Sequence, residues 1–588
     1  MRKTVVLGST LIAAVLALSG LFDNEAMYGV IHADAQGYYG YLIAIFIEQS
    51  FDWEKVISSY ADVYFNGGGS DFTVHTEFGR INKYYAGTSL LMLPFFLVSC
   101  LGAWLFGFPI DGYSQPFQLG MMFSALFYSG IGMYFLSRFF EAKGIKKGTS
   151  LAVVVLVLFG TNLFHYSISE PAMSHAYSFA LVSLFLFKVN AWLRSSGWRD
   201  LLWSSVVFGF IVLVRPVNGL VIFCVPFIAG GLRPLLENIR ETDALTKKIG
   251  IGVVVVFGVL IFQSIIYLAQ VGKPLVWSYQ DEGFNLMNPK VLNVLFSFKK
   301  GFFVYTPVAI LGALGLALYT IKRPKAGVSL WLFLALIIYV ISSWWNWYYG
   351  SSFGHRAMIE YLPFFAFGIA YLLQESIKPL RIGIIVVGLI LIGVNLVQSY
   401  QYQKFILHWV GMDKSRYLEI FLKTDRKYDG IFYRRDMTIS TKLFETDLET
   451  GTIWGRQGID STRAFSGTKS TVVGAGNSFG ATIGIPVAEL GEAGNRELRF
   501  SARVWCEKPQ QELSLAYSYR NDTADYGHTY IQLGQLATKA NEWMEITKIE
   551  GLGKPKSPDD KWIIYPYSDG KTAVYLDDLK YEIITLRE

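Results

Sequence analysis

The hydrophobic positions of this chain fall into two regimes. Up to about residue 400 they form long apolar runs separated by short polar stretches. A helix that crosses a bilayer needs about 20 apolar residues, within a range near 17 to 25. Runs of that kind occupy 4–22, 116–137, 174–193, 249–270, 302–320, 327–343, 360–375 and 381–399. Three shorter or interrupted runs lie at 150–162, 200–214 and 217–231, and a further apolar run covers 86–106. After about residue 430 the runs shorten to strand length and alternate, as in ELRFSARVW, ELSLAYSYR, TYIQLGQL and KWIIYPY. Gly, Asn, Asp and Pro turn signals separate them, which predicts an all-β sandwich or jelly roll.

Charge decides how the runs are threaded. Basic residues cluster at Arg138 to Lys147, Arg194 and Arg199, Arg233 to Lys248, Lys322 to Lys325, and Lys378 with Arg381. If 86–106 does not cross, all of these share the cytoplasmic side with Arg2 and Lys3, as the positive-inside rule requires. If it crosses, the later clusters flip outward. This predicts about 11 transmembrane helices, an N-terminus inside, and surface helices in the first outer loop. It also requires Arg215-Pro216 to split two short spans by an outward turn, because a single Pro-kinked helix would break the pattern. The expected organisation is a polytopic α-helical membrane domain at 1–400, a connector at 401–430, and an extracytoplasmic β-sandwich domain at 431–588.

Composition agrees with a membrane protein. The 588 residues are 52% hydrophobic and only 17% charged, against about 25% charged in soluble domains. The net charge of +6 is modest and does not point to nucleic acid. Cys100, Cys224 and Cys506 form no metal or redox spacing. The start, MRKTVVLGSTLIAAVLALSGLF, reads as an uncleaved first helix or as a signal peptide ending at ALSG. Both readings put residue 23 onward outside.

On that topology the polar and aromatic residues with chemical potential gather in the outer loops. Asp34 opens the first, in HADAQGYYGYL, four residues before Tyr38 and ahead of an expected amphipathic helix at 37–49. A carboxylate held near a bilayer is costly and marks function; the plain alternative is a solvated loop acid beside an aromatic belt. Asp23 and Glu25 are weaker candidates of the same kind. Arg80 and Lys83 precede the run at 86–106 and could meet a lipid phosphate, or could simply snorkel. His355 and Arg356 end the loop WWNWYYGSSFGHR, whose glycines permit close approach. Glu170 and His175 flank a helix start that Ser174 could cap. Asp281 and Glu282 lie in a long central loop, and Arg215 sits at the break. For these the bland readings are caps, belts and packed ion pairs. No Walker loop, dinucleotide fingerprint or Ser/His/Asp pattern appears in credible context.

Several stretches together resemble the GT-C superfamily of membrane glycosyltransferases, and most closely its protein mannosyltransferase and aminoarabinose transferase branch. The matching residues are Asp34 with Tyr38, SFDW at 50–53, Lys83 in NKYYAGTSLLMLPFF, and LFG at 105–107. The sequence departs from that branch at Ala35, where a second acid is common, and at Tyr84-Tyr85, where two prolines are usual. The β region lies outside the branch's shared core, though its last strands resemble carbohydrate-binding modules. The resemblance implies an inverting transferase of hexosyl or pentosyl groups. Its donor would be a polyprenyl-phosphate-linked sugar and its acceptor a lipid, glycan or protein. The setting would be the outer face of a bacterial inner membrane. Asp34 would be the base, and Lys83 and Arg356 would hold the lipid phosphate. Tyr38, Arg80, Glu170, His175, Asp281, Glu282 and His355 would be pocket candidates. No cofactor is firmly implied, although some relatives use a divalent cation. The alternative is a non-enzymatic carrier or scaffold for surface glycan with a glycan-binding β domain.

Overall fold

The computed structural model describes residues 2–18, 29–64, 72–242, 244–280, 282–449, 454–455, 457–490 and 495–586. The chain divides into two compact units, Met1–Asp429 and Gly430–Glu588.

The first unit is helical. Among the described residues, seven helices are long and apolar enough to cross a membrane, or eight if a bent pair is one span. Shorter apolar helices cover Val5–Leu16, Lys147–Gly160 and Val308–Lys322. The expected run at 302–320 is interrupted at Thr306-Pro307, between a one-turn helix, Phe302–Tyr305, and Val308–Lys322. Pro307 supplies no backbone N–H for a continuous ladder. The break at Arg215 is real. Trp198–Val214 ends there, Arg215 is extended (φ −151°, ψ 109°), and Pro216–Cys224 restarts as a 3-10 helix. Beyond Gly230 and Gly231, both at positive φ, the amphipathic helix Leu232–Glu241 turns away by 89°.

Two packing relations fix the frame of the site. Val308–Lys322 crosses Leu362–Glu375 at backbone contact: a Cβ on Gly315 would stand 1.8 Å from the Gly368 carbonyl oxygen, and one on Gly368 would stand 2.1 Å from that of Gly312. Small residues permit this in membrane helices, where close packing replaces the hydrophobic drive. The apolar helix Gly87–Phe106 satisfies the length and composition of a span, yet both its flanks are tied to the short helix Asp34–Leu42. Tyr41 donates to the Tyr84 carbonyl (2.6 Å), Ser89 donates to that of Tyr38, and Tyr39 donates to that of Gly112 (2.6 Å).

The helix at 37–49 begins earlier than expected, at Asp34, and ends in a π-turn at Ile43–Ile47. Its tyrosines do not seat it on a bilayer. Tyr38, Tyr39 and Tyr41 are at most 6% exposed and pack on Tyr84, Phe96 and Trp53 respectively. Gly37 and Gly40 make room for the approach: a Cβ on Gly37 would lie 2.2 Å from the Tyr84 ring, and one on Gly40 3.0 Å from Phe72.

The second unit is built from two antiparallel sheets. One orders its strands Asp525–Gln532, Ser514–Arg520, Lys561–Tyr567, Thr482–Pro486, Trp454–Gly455. The other orders Met544–Leu552, Asn495–Cys506, Val574–Leu586, Ser470–Val473, Ile459–Asp460, with Thr438–Thr446 also paired to Val574–Leu586. Alternate residues of both sheets form one core, including Leu515, Tyr517 and Tyr519 from one and Leu498, Phe500, Ala502 and Val504 from the other. The Asp577-Asp578 pair lies at a register shift in its strand. Asp577 is buried and accepts from the backbone N–H groups of Phe465, Ser466 and Asp578. That acid therefore clamps a loop.

Candidate functional site

The site forms where four distant segments converge. Asp34 starts its helix after Ala33, whose φ of 49° and ψ of −132° are rarely adopted by any residue but glycine. Such strain persists only where surrounding structure over-determines it, and it clusters at functional sites. Lys83 is positioned by a chain of hydrogen bonds. Gln270 accepts from Trp53 Nε1 (3.0 Å) and from the Asn82 N–H (3.0 Å), and Asn82 Nδ2 donates to the Gly37 carbonyl (2.7 Å). Trp53 thus has a structural task, helping to hold the segment that leads to Lys83 beside the Asp34 helix. Arg356 follows Gly354, whose φ is 58° and whose absent Cβ would meet that of Tyr305 at 2.8 Å. Arg215 comes from the helix break.

These residues line a cavity of about 570 Å³, within the usual range for small-molecule sites. Its wall carries Asp34, Tyr38, Lys83, Tyr84, His175, Arg215, Glu282 and Arg356, among aromatic side chains that include Tyr279, Trp344 and Tyr349. Arg356 donates to Asp34 (2.6 Å), Lys83 donates to Glu282 (3.2 Å), and Arg215 lies 3.3 Å from Glu360. Each Lys or Arg of the wall, among the described residues, is therefore tied to one carboxylate. Asp34 stays accessible, with its side chain 34% exposed against 11% for Arg356. Burial alone would raise the Asp34 pKa. The Arg356 charge, hydrogen bonds from Tyr84 and Arg356, and the Lys83 charge outweigh that and hold it below the ordinary carboxylate value. Burial and the nearby Asp34 carboxylate both push the Tyr84 phenol well up, so it remains a neutral donor.

The sequence candidates sort as follows. Asp34, Tyr38, Lys83, His175, Glu282 and Arg356 share the cavity. Arg80 does not line it; its Nε donates to Thr73 Oγ1 (2.6 Å) across a short hairpin. His355 is fully buried, with Nε2 on the Trp347 carbonyl (3.1 Å), and it lines neither this cavity nor the smaller one described below. Asp281, Asp23 and Glu25 lie outside the described residues. Glu170 and His175 do not pair. His175 Nδ1 sits 3.0 Å from Glu360, while Glu170 sits 3.4 Å from His165. Ser174 makes no side-chain cap on the helix it precedes. Glu360 is the residue sequence reasoning missed. It opens the apolar run 360–375, and a carboxylate there is a functional signal in its own right.

Glu170 lines a second, smaller cavity of about 140 Å³ with His32, Ala33, His165, Met173, Tyr402 and Trp409. Burial would raise its pKa, but the His165 hydrogen bond and charge, with lesser effects of His32 and Arg356, hold it down.

Among the described residues no group of three or more His, Cys, Asp or Glu side chains converges as a ligand set. The Asp34 and Glu282 carboxylates of the larger cavity are already engaged by Arg356 and Lys83.

With the geometry in view, the chain can be set beside known proteins. No protein-family model matches it, and no curated protein matches its sequence. Solved structures do. The apo oligosaccharyltransferase of Archaeoglobus fulgidus aligns over 74% of this chain and 59% of its own, at 12% identity and TM-score 0.41. The arabinosyltransferase EmbB of Mycobacterium smegmatis aligns over 98% and 64%, at 10% identity and TM-score 0.37. Both neighbours are GT-C glycosyltransferases. This chain spans about three fifths of their length. A CBM22 xylan-binding domain of Paenibacillus barcinonensis Xyn10C aligns over 25% of this chain and 94% of its own, at 14% identity and TM-score 0.17. These are likenesses of layout and assign no reaction.

Proposed function

We propose that the protein is a membrane glycosyltransferase that moves a sugar from a polyprenyl-phosphate donor to an acceptor on the extracytoplasmic face. The observation that carries this reading is the accessible Asp34 carboxylate against Arg356, on one cavity wall with Lys83. The pair offers a base and an anion ligand at hydrogen-bond distance from each other, as a displacement at a phosphate-activated carbon requires.

In the step proposed, an acceptor hydroxyl or amine attacks the anomeric carbon. Its proton passes to Asp34. The new bond to C1 forms as the C1–O bond breaks, and that electron pair leaves with the lipid phosphate. Attack opposite the leaving group inverts the anomeric centre. Arg356 and Lys83 face the phosphate, whose charge grows as it leaves, and stabilise the transition state more than the ground state. A guanidinium binds carboxylate and phosphate through the same fork. Donor binding therefore exchanges Asp34 for phosphate on Arg356 and frees the base. Arg215 lies on the same wall and supplies a further positive charge.

The cavity rim suits a lipid chain. Trp277, Phe284 and Trp345 line the cavity and are exposed, and Leu275, Leu286 and Met287 are exposed in the same loop. That loop is pinned to the helix end by Asn285 N–H on the Ser343 carbonyl (2.6 Å) and Trp345 N–H on that of Gly283 (2.9 Å). Exposed apolar side chains at the mouth of a cavity suit contact with a lipid or an apolar ligand.

The test is direct. Purified full-length protein in nanodiscs is incubated with short-chain polyprenyl-phosphate sugars and candidate acceptors, and released polyprenyl phosphate is measured. Turnover above an empty-nanodisc control supports the transferase. A carrier or scaffold would leave the donor intact.

A further inference from the structure

We propose that the smaller cavity is a subsite for a pyranose residue of the acceptor, held by the Glu170 carboxylate and the rings of Tyr402 and Trp409. The word acceptor rests on the transferase reading above; the sugar binding does not.

Position comes first. Ala33 lines the small cavity and Asp34 lines the large one. One strained peptide unit therefore stands between them. Met173, also on the small cavity, touches Arg356 through its sulfur at 3.8 Å from Nη1. The two cavities are thus neighbours, joined through the Ala33-Asp34 peptide and the Met173–Arg356 contact.

The chemistry of the lining selects the ligand. Glu170 is only 6% exposed. Its Oε1 faces His165 Nε2 at 3.4 Å, while its Oε2 is buried and has no hydrogen-bond partner among the described residues. A buried carboxylate oxygen left unpaired is expensive, and the side chain that carries it lines the cavity. Tyr402, Phe405 and Trp409 form an aromatic wall. Tyr402 is braced edge-on by His165, and Phe405 by Trp409. The Trp409 carbonyl is itself held by the buried Lys300 ammonium, which also binds that of Ser352. Trp409 as a whole is 37% exposed.

A sugar ring matches both features. Its hydroxyls donate to a carboxylate, and its C–H face lies on aromatic rings. An alkyl chain would offer the Glu170 carboxylate no donor. A serine or threonine side chain could donate to Glu170 but offers no flat face to the aromatic wall. The cavity, about 140 Å³, is a quarter of the larger one and suits one small ring.

Saturation-transfer NMR on the full-length protein in nanodiscs tests this, with methyl pyranosides of xylose, arabinose, mannose and galactose as probes and a serine/threonine peptide as competitor. At least one pyranoside should bind, and Glu170→Gln and Trp409→Ala should each weaken it about tenfold, the scale of one charged hydrogen bond or more. Melting temperatures show whether each variant is folded; Trp409 is partly exposed, so its variant carries the test if Glu170→Gln is unstable. No pyranoside binding in the wild type would overturn the proposal. So would binding that is unchanged in both variants, since it would come from elsewhere in the chain. Peptide binding that depends on Glu170 in place of sugar binding would overturn it too. Pyranoside binding lost in the variants, with no donor turnover by the wild type, would uphold the subsite and sink the transferase reading.

Discussion

Arg356 and Asp34, 322 positions apart in sequence, meet through a charge-assisted hydrogen bond of 2.6 Å. The arginine reaches the acid from the first turn after a glycine loop, and the acid projects from a helix held by buried tyrosines. Each explains the other's position. Arg356 keeps Asp34 ionised, and Asp34 compensates an arginine that is nearly buried.

The pairing gives the pH profile a sign. Asp34 is held below the usual carboxylate value despite burial, with Arg356 the leading lowering influence. Its ionised form is the base. Activity should therefore hold at neutral pH and fall only as pH drops through that lowered pKa. Arg356→Ala should move the acid limb of kcat/KM to higher pH and cut its plateau by about 10²–10³. Lys83→Ala should move the limb the same way by less. The stability carried by this pair has the same sign: present above the unfolded carboxylate pKa, and lost as pH falls through the folded one. An acid limb that stays put in Arg356→Ala would mean that Asp34 is not the titrating base.

Glu360 is almost completely buried and faces both His175 and Arg215. Removing one member of a buried charged cluster strands the others. Glu360→Ala should lower stability by about 3–5 kcal/mol, read by SDS-titration unfolding in bicelles. A change under about 1 kcal/mol would show that water or a rearranged side chain compensates Arg215.

The crossing of Val308–Lys322 with Leu362–Glu375 leaves no room for a methyl group at Gly315 or Gly368. Each changed to alanine should destabilise by about 1–3 kcal/mol through overpacking. Gly383 and Gly393, helical glycines where an added Cβ would meet nothing within 4 Å, serve as controls. There alanine should be neutral or stabilise by up to about 1 kcal/mol. Equal melting shifts in both pairs would contradict the close contact.

Gly37→Ala should push the Tyr84 ring away, because the added methyl would lie 2.2 Å from it. Tyr84 lines the cavity and helps to hold the Asp34 pKa down. Transfer should fall, while far-UV circular dichroism stays that of the wild type. Normal kinetics in this variant would mean that the Tyr84 position is not needed.

Much of the helical layout is legible in the sequence because crossing a bilayer demands long apolar runs, and the Arg215-Pro216 break is written in the two residues least compatible with a continuous apolar helix. The strand alternation after residue 430 reads just as directly. What stayed hidden was partnership. Tyr38, Tyr39 and Tyr41 advertise an apolar neighbour, but lipid and protein interior are equally apolar, so their pattern could not say which. Glu170 and His175 are close in sequence, yet their partners are His165 and Glu360, the latter 185 positions from His175. Trp409 lay in a stretch read as connector, where nothing in the local pattern places it beside Glu170. Long-range pairing is set by helix packing, which local periodicity does not encode.

The central claim is that Asp34 accepts the acceptor's proton. Asp34→Asn keeps the size of the side chain and a hydrogen-bond acceptor for Arg356 while removing the base. Transfer from a polyprenyl-phosphate sugar, measured in nanodiscs at saturating donor and acceptor, should fall by about 10²–10⁴ with donor binding retained. Wild-type turnover in Asp34→Asn would contradict it.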